Sequence, residues 1–125
     1  MKINIPISVG ELLDKITILQ IKSKHTDDEY VKKELEDLTK IAQEFDVYKE
    51  SYLNELSYVN SILWGIEDSL RESESRWKFG DGFISLARQV YITNDKRAEI
   101  KKRINEETQS SYKEIKLYLT YGKFC

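Results

Sequence analysis

The sequence predicts an all-α protein, a compact bundle of four to five helices with a short N-terminal extended arm. Apolar residues recur every three or four positions along most of the 125 residues, and the chain has one proline and five glycines. Two Ser/Thr-x-x-Glu boxes precede helical stretches, as capping boxes do. A chain of 125 residues has no room for a second core, so we expect one domain, residues 1–125.

The arm and the first helix come from the start of the chain. Isoleucines alternate with other residues over Ile3–Ile7, which is typical of a short strand with one buried face. Pro6 has no amide donor, so this segment is an edge or an arm. Ser8 and Glu11 have the spacing of a capping box, and helix one is predicted over Val9–Lys24.

One long apolar stripe predicts the second and third helices. A capping box at Thr26–Glu29 begins it, and apolar positions follow at helical spacing over Val31–Leu70. A single helix of this length would measure about 60 Å, which is too long for a compact domain of this size. A turn near Asp46 therefore divides the stripe into helices over 27–44 and 48–74.

A last helical region is predicted to begin near Gly82. No proline or glycine interrupts residues 83–121, so the pattern allows one long helix or two. Thr93 and Asn94 mark the favoured break, because both residue types prefer helix caps. The apolar residues of this region are Phe83, Leu86, Ala87, Val90 and Tyr91, continued by Ile100, Ile104, Ile115, Tyr118 and Leu119.

Charge, cysteine content and hydropathy exclude several classes of function. A net charge of -2 offers no basic field, so nucleic acid and anionic lipid are not expected as partners. Cys125 is the only cysteine, which excludes an intramolecular disulfide and a cysteine-based zinc site. No apolar run approaches the roughly 20 residues of a membrane span, and no signal peptide is recognisable. The sequence thus predicts a cytoplasmic protein without membrane insertion.

Polar residues at helix positions that face a bundle interior are the functional candidates, because burying them costs free energy unless they have partners. The simpler interpretation is a solvated surface with ion pairs, or a tryptophan packed beside a salt bridge. The other interpretation is a ligand wall, in which the tryptophan stacks on a ring and cations bind its polar edge. The candidate ligand-binding residues are Lys15, Asn60, Trp64, Glu67, Arg71, Arg88, Tyr91, Asn94, Asp95, Arg97 and Lys101.

Carboxylates on three helices suggest a second use for the same region. Oxygen ligands on facing helices suit Mg²⁺, the candidate cofactor, although acids at helical spacing are also common in a chain that is 34% charged. The candidate metal ligands are Glu11, Asp14, Glu67, Asp68 and Asp95. His25, the only histidine, lies in a predicted loop and is interpreted as a residue near the end of a helix.

Three blocks of the sequence resemble a family of short bacterial proteins of unknown function. They read VGELLDKITIL from Val9, VNSILWGIED from Val59 and LARQVYITNDKRAEIK from Leu86, and together they span most of the chain. The resemblance implies that the polar candidates in these blocks belong to the family pattern and share a site between helices. It also implies an association with glycan and cell-envelope synthesis. The acidic residues are similar to the motifs of all-α nucleotide pyrophosphohydrolases, although their dense Glu-x-x-Glu run is missing.

Two hypotheses of function follow. The first is a polar pocket between helices for an anionic small molecule, such as a nucleotide, a sugar nucleotide or a phosphosugar. If the protein is an enzyme, metal-assisted hydrolysis of a phosphate ester or pyrophosphate is the reaction class to test. The second is a non-catalytic module for dimerisation or docking, because the eight tyrosines suit an aromatic interface. We expect a homo-oligomer, while the sequence leaves catalysis undecided.

Overall fold

The computed structural model describes residues 1–117, which contain four α-helices and no strand. The helices are α1 (Val9–Ser23), α2 (Glu29–Glu44), α3 (Glu50–Ser75) and α4 (Asp81–Glu107). The predicted all-α class is confirmed for this part of the chain. None of these four helices combines the length and the apolar character that crossing a bilayer requires.

The N-terminal segment, residues 1–8, has no regular secondary structure. Ile3 is 75% exposed and Ile5 is 71% exposed, so the alternation of isoleucines does not form a buried face. Ile7 alone of the three is partly buried and packs against the core. The predicted extended arm is therefore not confirmed, because no neighbouring strand in the described residues is present to pair with it.

The N-terminus of α1 confirms half of its predicted capping box. Ser8 is the N-cap residue, and its Oγ accepts a hydrogen bond from the backbone N–H of Glu11 at 3.1 Å. The Glu11 carboxylate instead accepts a hydrogen bond from the Lys101 ammonium, at 2.7 Å. This side chain thus joins α1 to α4 rather than closing the box.

The start of α1 lies unusually close to the end of α4. The backbone N–H of Gly10 donates to Asn105 Oδ1 at 2.7 Å, and that of Val9 donates to Ser110 Oγ at 3.1 Å. A Cβ atom at position 10 would lie 2.8 Å from the Lys101 carbonyl oxygen and 2.9 Å from Asn105 Oδ1. Glycine at this position therefore permits the close approach.

The core centres on α1, which packs against each of the other three helices. Since α2 packs on α1 alone and α3 packs on α4, α1 joins the two halves of the fold. Leu13, Ile16, Leu56 and Ile104 are fully buried where α1, α3 and α4 meet. The residues of the core cluster are Leu12, Leu13, Ile16, Ala42, Tyr52, Leu53, Leu56 and Ile104.

The α2 helix begins two residues later than its predicted start at 27. Asp28 is the N-cap residue, and its Oδ1 accepts a hydrogen bond from the backbone N–H of Tyr30 at 2.8 Å. Thr26 Oγ1 accepts from the backbone N–H of Asp28, so the Thr26–Glu29 box is not the cap. The turn predicted near Asp46 is confirmed, since Phe45 ends α2 and α3 begins at Glu50.

Three helices end with the same local geometry. Asp46, Trp77 and Gln109 adopt positive φ angles of 56°, 54° and 54° directly after the C-caps of α2, α3 and α4. The next backbone N–H after each of them bonds back to a carbonyl five residues earlier, as in a Schellman motif. Glycine usually occupies this position, and none of the three is glycine.

The α3 and α4 helices form a long antiparallel hairpin that extends past α1. Their buried residues all lie within 52–63 and 93–105, where α1 covers them. No residue of 64–75 or 81–92 is buried, and the apolar side chains there range from partly buried to exposed. The far end of the hairpin, 64–92, is thus its least buried part.

The predicted break at Thr93–Asn94 is wrong, because α4 continues through both residues. Thr93 is 5% exposed, so packing inside the bundle outweighs its preference for caps. The helix ends at Glu107, and residues 108–117 contain no helix, although the apolar pattern allowed one to continue. Ile115 is 73% exposed, while the predicted apolar positions Tyr118 and Leu119 lie outside the described residues.

Candidate functional site

An open cleft of about 390 Å³ lies where α1 ends against the middle of the α3–α4 hairpin. Its apolar surface comes from Ile18 and Ile21 of α1 and Leu63 of α3. The other lining residues are Asn60, Trp64, Glu67, Asp68, Arg71 and Arg97. All of these except Arg97 belong to α3, which presents successive turns of one face to the cleft.

The cleft brings together five of the predicted ligand-binding residues. Asn60, Trp64, Glu67 and Arg71 follow each other at helical spacing on α3, so their common face could be read from the sequence. Arg97 joins them from α4, and this meeting depends on the tertiary structure. Asp68, predicted as a metal ligand, also lines the cleft.

A buried hydrogen-bond network lies behind the cleft. Asn60 is 4% exposed, and its Nδ2 donates to Asp14 Oδ1 and to Thr17 Oγ1, each at 2.8 Å. Asn60 Oδ1 accepts from Arg97 Nη1 at 3.2 Å, and the same nitrogen lies 3.9 Å from Asp14 Oδ2. Thr17 Oγ1 also donates to the Asp14 carbonyl oxygen. The network therefore joins α1, α3 and α4 at one level.

A second cluster of charged side chains lies one to two turns closer to the start of α1 than the Asn60 network. The Lys101 ammonium donates to Glu11 Oε2 at 2.7 Å and lies 3.3 Å from Glu114 Oε2. Lys101 is 6% exposed, so this buried cation is compensated by two carboxylates. Glu114 comes from the segment after α4, which is thereby held against α1 and α4.

The pKa values of this pair shift in the directions expected for a strong ion pair. Burial alone would raise the pKa of Glu11, but the hydrogen bond from Lys101 and nearby positive charges outweigh it and lower the pKa. Burial alone would lower the pKa of Lys101, but the hydrogen bond to Glu11 and neighbouring carboxylates raise it. Both groups therefore stay charged around neutral pH, and the Lys101 ammonium is fixed by its ion pairs with Glu11 and Glu114.

Trp64 is covered on one face by the only histidine. The rings of His25 and Trp64 stack with centroids 4.8 Å apart and planes at 12°. The expected position of His25 near the end of a helix is confirmed, since it follows the C-cap of α1 and its backbone N–H bonds to the Lys22 carbonyl. The ring contact itself gave no sequence signal, because it depends on how α1 meets α3.

The other predicted ligand-binding residues do not line the cleft. Lys15 and Arg88 are exposed, and Tyr91 is 44% exposed. Asn94 is half-buried, and its Oδ1 has no hydrogen-bond partner in the described part of the chain. Asp95 is half-buried on α4, and Lys101 is engaged with Glu11 and Glu114 as described above.

The predicted carboxylate cluster is not formed. Within residues 1–117, no three side chains of His, Cys, Asp or Glu come together where they could hold a metal ion. Asp14 points to the interior and Glu11 pairs with Lys101, whereas Glu67 and Asp68 lie on the exposed part of α3. The five acids were grouped by helix spacing, which does not fix the distances between helices.

Sequence reasoning missed three kinds of residues around the cleft. Ile18 and Ile21 interrupt the polar face of α1, and this irregularity was the signal that a second surface covers the helix. Thr17 gave no signal, because threonine is also common on helix surfaces. Glu114 lay in a stretch expected to be helical, so its contact with Lys101 could not be anticipated.

Comparison with curated proteins finds no match, and neither does comparison with solved structures. The model of one protein family matches residues 1–122, which is nearly the whole chain, and the family is described as a family of unknown function. The extent of this match agrees with the sequence resemblance, while the individual sequence blocks are not tested by it. The chain therefore belongs to the family of unknown function DUF6165.

Proposed function

We propose that the cleft binds a small anionic molecule that also carries a ring, such as a nucleotide, a sugar nucleotide or a phosphosugar. One observation carries the proposal: Asn60, Trp64, Glu67, Arg71 and Arg97, chosen from the sequence, line one cleft together with apolar side chains. Its volume of about 390 Å³ falls in the range of about 300–1,000 Å³ for small-molecule sites.

The apolar part of the cleft supports recognition of a ring. Trp64 offers a large aromatic surface beside Leu63, Ile18 and Ile21. Aromatic side chains bind bases by stacking and also pack against the apolar faces of sugars. A ligand that carries only charge would leave this surface unused.

The charged part supports an anion with hydroxyl groups. Arg71 and Arg97 supply guanidinium groups, which bind phosphate or carboxylate through paired hydrogen bonds. Glu67 and Asp68 can accept hydrogen bonds from hydroxyl groups of a sugar. Because the described carboxylates form no metal cluster, we propose binding and leave metal-assisted hydrolysis out of the proposal.

The test is thermal unfolding of the purified protein with nucleotides, sugar nucleotides and sugar phosphates, each with and without Mg²⁺. A ligand at 100 times its Kd should stabilise the fold by about 2.7 kcal/mol. Arg71→Ala should reduce the shift, since it removes a cation that lines the cleft. Arg88→Ala is the matched control, because Arg88 is an exposed arginine outside the cleft. Absence of a shift across the whole panel contradicts the proposal.

We also propose, as the second candidate, self-association of two copies through the far end of the α3–α4 hairpin, 64–92. Trp77 is 85% exposed and Ile84 is 54% exposed, in a region where the structure buries no residue fully. Two such hairpins packed together would form the four-helix arrangement in which apolar faces are normally buried. Light scattering gives the mass directly: Trp77→Ser should lower the dimer fraction, while Tyr30→Ser, which alters an equally exposed aromatic residue on α2, should not.

A further inference from the structure

The hydrogen bonds behind the cleft fix the orientation of one amide group. The Asp14 carboxylate can only accept hydrogen bonds, and the Arg97 guanidinium can only donate them. Asn60 lies between them, so its NH₂ group must face Asp14 and its oxygen must face Arg97. The observed contacts agree: Asn60 Nδ2 lies 2.8 Å from Asp14 Oδ1, and Asn60 Oδ1 lies 3.2 Å from Arg97 Nη1. Thr17 Oγ1 accepts from the same NH₂ group and reinforces this orientation.

We propose that Asp14 and Thr17, neither of which lines the cleft, position Arg97 through Asn60 so that its guanidinium group binds the anionic group of the ligand. This inference rests on the proposed function of the cleft and assigns its anion contact to one held arginine. Arg97 is the positioned residue, and Asp14 and Thr17 are positioning residues.

The burial of the residues supports this division of roles. Asp14 is 3% exposed and Thr17 is fully buried, so a molecule in the cleft does not reach them. The Arg97 side chain is 28% exposed and lines the cleft. Its contacts with Asn60 and Asp14 both use Nη1, and an arginine held through one terminal nitrogen keeps Nη2 and Nε to bind a phosphate or carboxylate.

Holding the arginine lowers the cost of binding. A free arginine side chain has much rotamer entropy to lose when it is fixed on a ligand. Since the network already restricts Arg97, less of this entropy is lost when the anion binds. This gain in binding is greatest for a planar, bidentate contact, which tolerates little error in the position of the guanidinium.

Removing the Asp14 charge distinguishes two roles for this residue. If Asp14 acts only through its charge, anion binding becomes tighter; if it positions Arg97, anion binding becomes weaker. The Asp14 carboxylate lies 3.9 Å from Arg97 Nη1 and would weaken anion binding if it acted only through its charge. Asp14→Asn would then bind an anion more tightly. If Asp14 positions Arg97, the same variant binds more weakly. Its amide cannot both accept from Asn60 Nδ2 and place a negative charge 3.9 Å from Arg97 Nη1, as the carboxylate does.

The probe is inorganic pyrophosphate, which carries the charge of the ligand class without a ring. Binding is followed by Trp64 fluorescence in a Trp77→Phe background, so that a single tryptophan reports from the cleft. We expect Asp14→Asn to weaken binding about tenfold, the equivalent of one charged hydrogen bond. Thr17→Val, which changes no charge, should weaken it by a few fold and decides the question if Asp14→Asn fails to fold.

Asp81→Asn is the matched control. It removes the same charge from an exposed position 16 residues before Arg97 on α4, about 24 Å away, and should leave binding unchanged. Variants that bind pyrophosphate as tightly as the parent protein, or more tightly, overturn the inference.

A second measurement separates failure of this inference from failure of the proposed function. Nitrogen NMR of the Arg97 guanidinium reports whether rotation about its bonds is restricted, and it requires no ligand. We expect restricted rotation in the parent protein and faster rotation in Asp14→Asn and Thr17→Val. If the parent protein does not bind pyrophosphate, the anion contact of the proposed function fails, and the NMR result still decides whether Asp14 positions Arg97. Equal rotation in all three proteins overturns the positioning role.

Discussion

Replacement of Gly10 by alanine tests the close approach of α1 and α4. Alanine is normally the better helix residue, by about 1 kcal/mol relative to glycine. At position 10, however, the new Cβ would lie 2.8 Å from the Lys101 carbonyl oxygen and 2.9 Å from Asn105 Oδ1. The first of these atoms belongs to the backbone of α4, so the clash cannot be relieved by rotating a side chain.

Three energy terms determine how much Gly10→Ala changes stability. Overpacking of a tight interface costs about 1–3 kcal/mol, and loss of the buried hydrogen bond from Gly10 N–H to Asn105 adds about 1 kcal/mol. The gain in helix propensity offsets about 1 kcal/mol of this. We therefore expect Gly10→Ala to lower the free energy of unfolding by about 1–3 kcal/mol, and to lower Tm by roughly 4–12 °C.

Gly65→Ala is the matched control, because a Cβ at position 65 on α3 meets nothing within 4 Å. The same substitution should raise the free energy of unfolding there by up to about 1 kcal/mol. Urea denaturation followed by circular dichroism measures both variants. A Gly10→Ala protein as stable as the parent, or stabilised as much as Gly65→Ala, would refute the claim that this contact requires glycine.

Four further predictions concern stability. Leu13→Ala should cost about 2–5 kcal/mol in urea denaturation, since Leu13 is fully buried in the core. Asp46→Gly should stabilise the fold by up to about 1 kcal/mol, because its φ of 56° suits glycine. A loss of stability would contradict the preference for glycine at this position. Tyr52→Phe should cost about 1 kcal/mol, because the hydroxyl donates to Glu107 at 2.7 Å. The stability that Glu11 contributes is present above its unfolded pKa of about 4.5 and is lost as pH falls through its lower folded pKa. The difference in unfolding free energy between the parent and Glu11→Gln should therefore shrink in acid. A difference that stays constant with pH would contradict the ion pair.

Much of the fold could be predicted because it depends on local pattern. The apolar spacing gave the helical class, and the spacing of Ser8 and Glu11 gave the start of α1. The break near Asp46 was predicted from length alone, since an unbroken helix would not fit a small domain. These features depend on residues within a few turns of one another, which a single sequence displays directly.

The ends of helices were harder to predict where the usual signal was missing. The end of α4 was not anticipated, because the residue at positive φ after it is Gln109 instead of glycine. The opposite error occurred at Thr93, a residue that favours caps but is buried within α4 by contacts with its neighbours. At Thr93 tertiary packing outweighed the local preference.

The candidate site also combines residues that local spacing predicts with residues that only the tertiary structure brings together. The stripe from Asn60 to Arg71 follows from helix spacing, so its residues could be grouped in advance. Their meeting with Arg97 and the burial of Asp14 depend on how three helices cross, which spacing along one helix does not determine. The five acids grouped as metal ligands are not brought together in the described residues, because that grouping assumed distances between helices.

The unequal lengths of the helices also affect how the protein moves through solvent. The 27 residues of α4 span about 40 Å, which exceeds the roughly 30 Å diameter of a small domain. A long hairpin raises the frictional coefficient of the chain, so it sediments more slowly and elutes earlier from a sizing column than a sphere of 14.8 kDa. A monomer of this shape therefore resembles a larger particle on the sizing column but a smaller one in sedimentation, so the two experiments together distinguish it from a compact dimer.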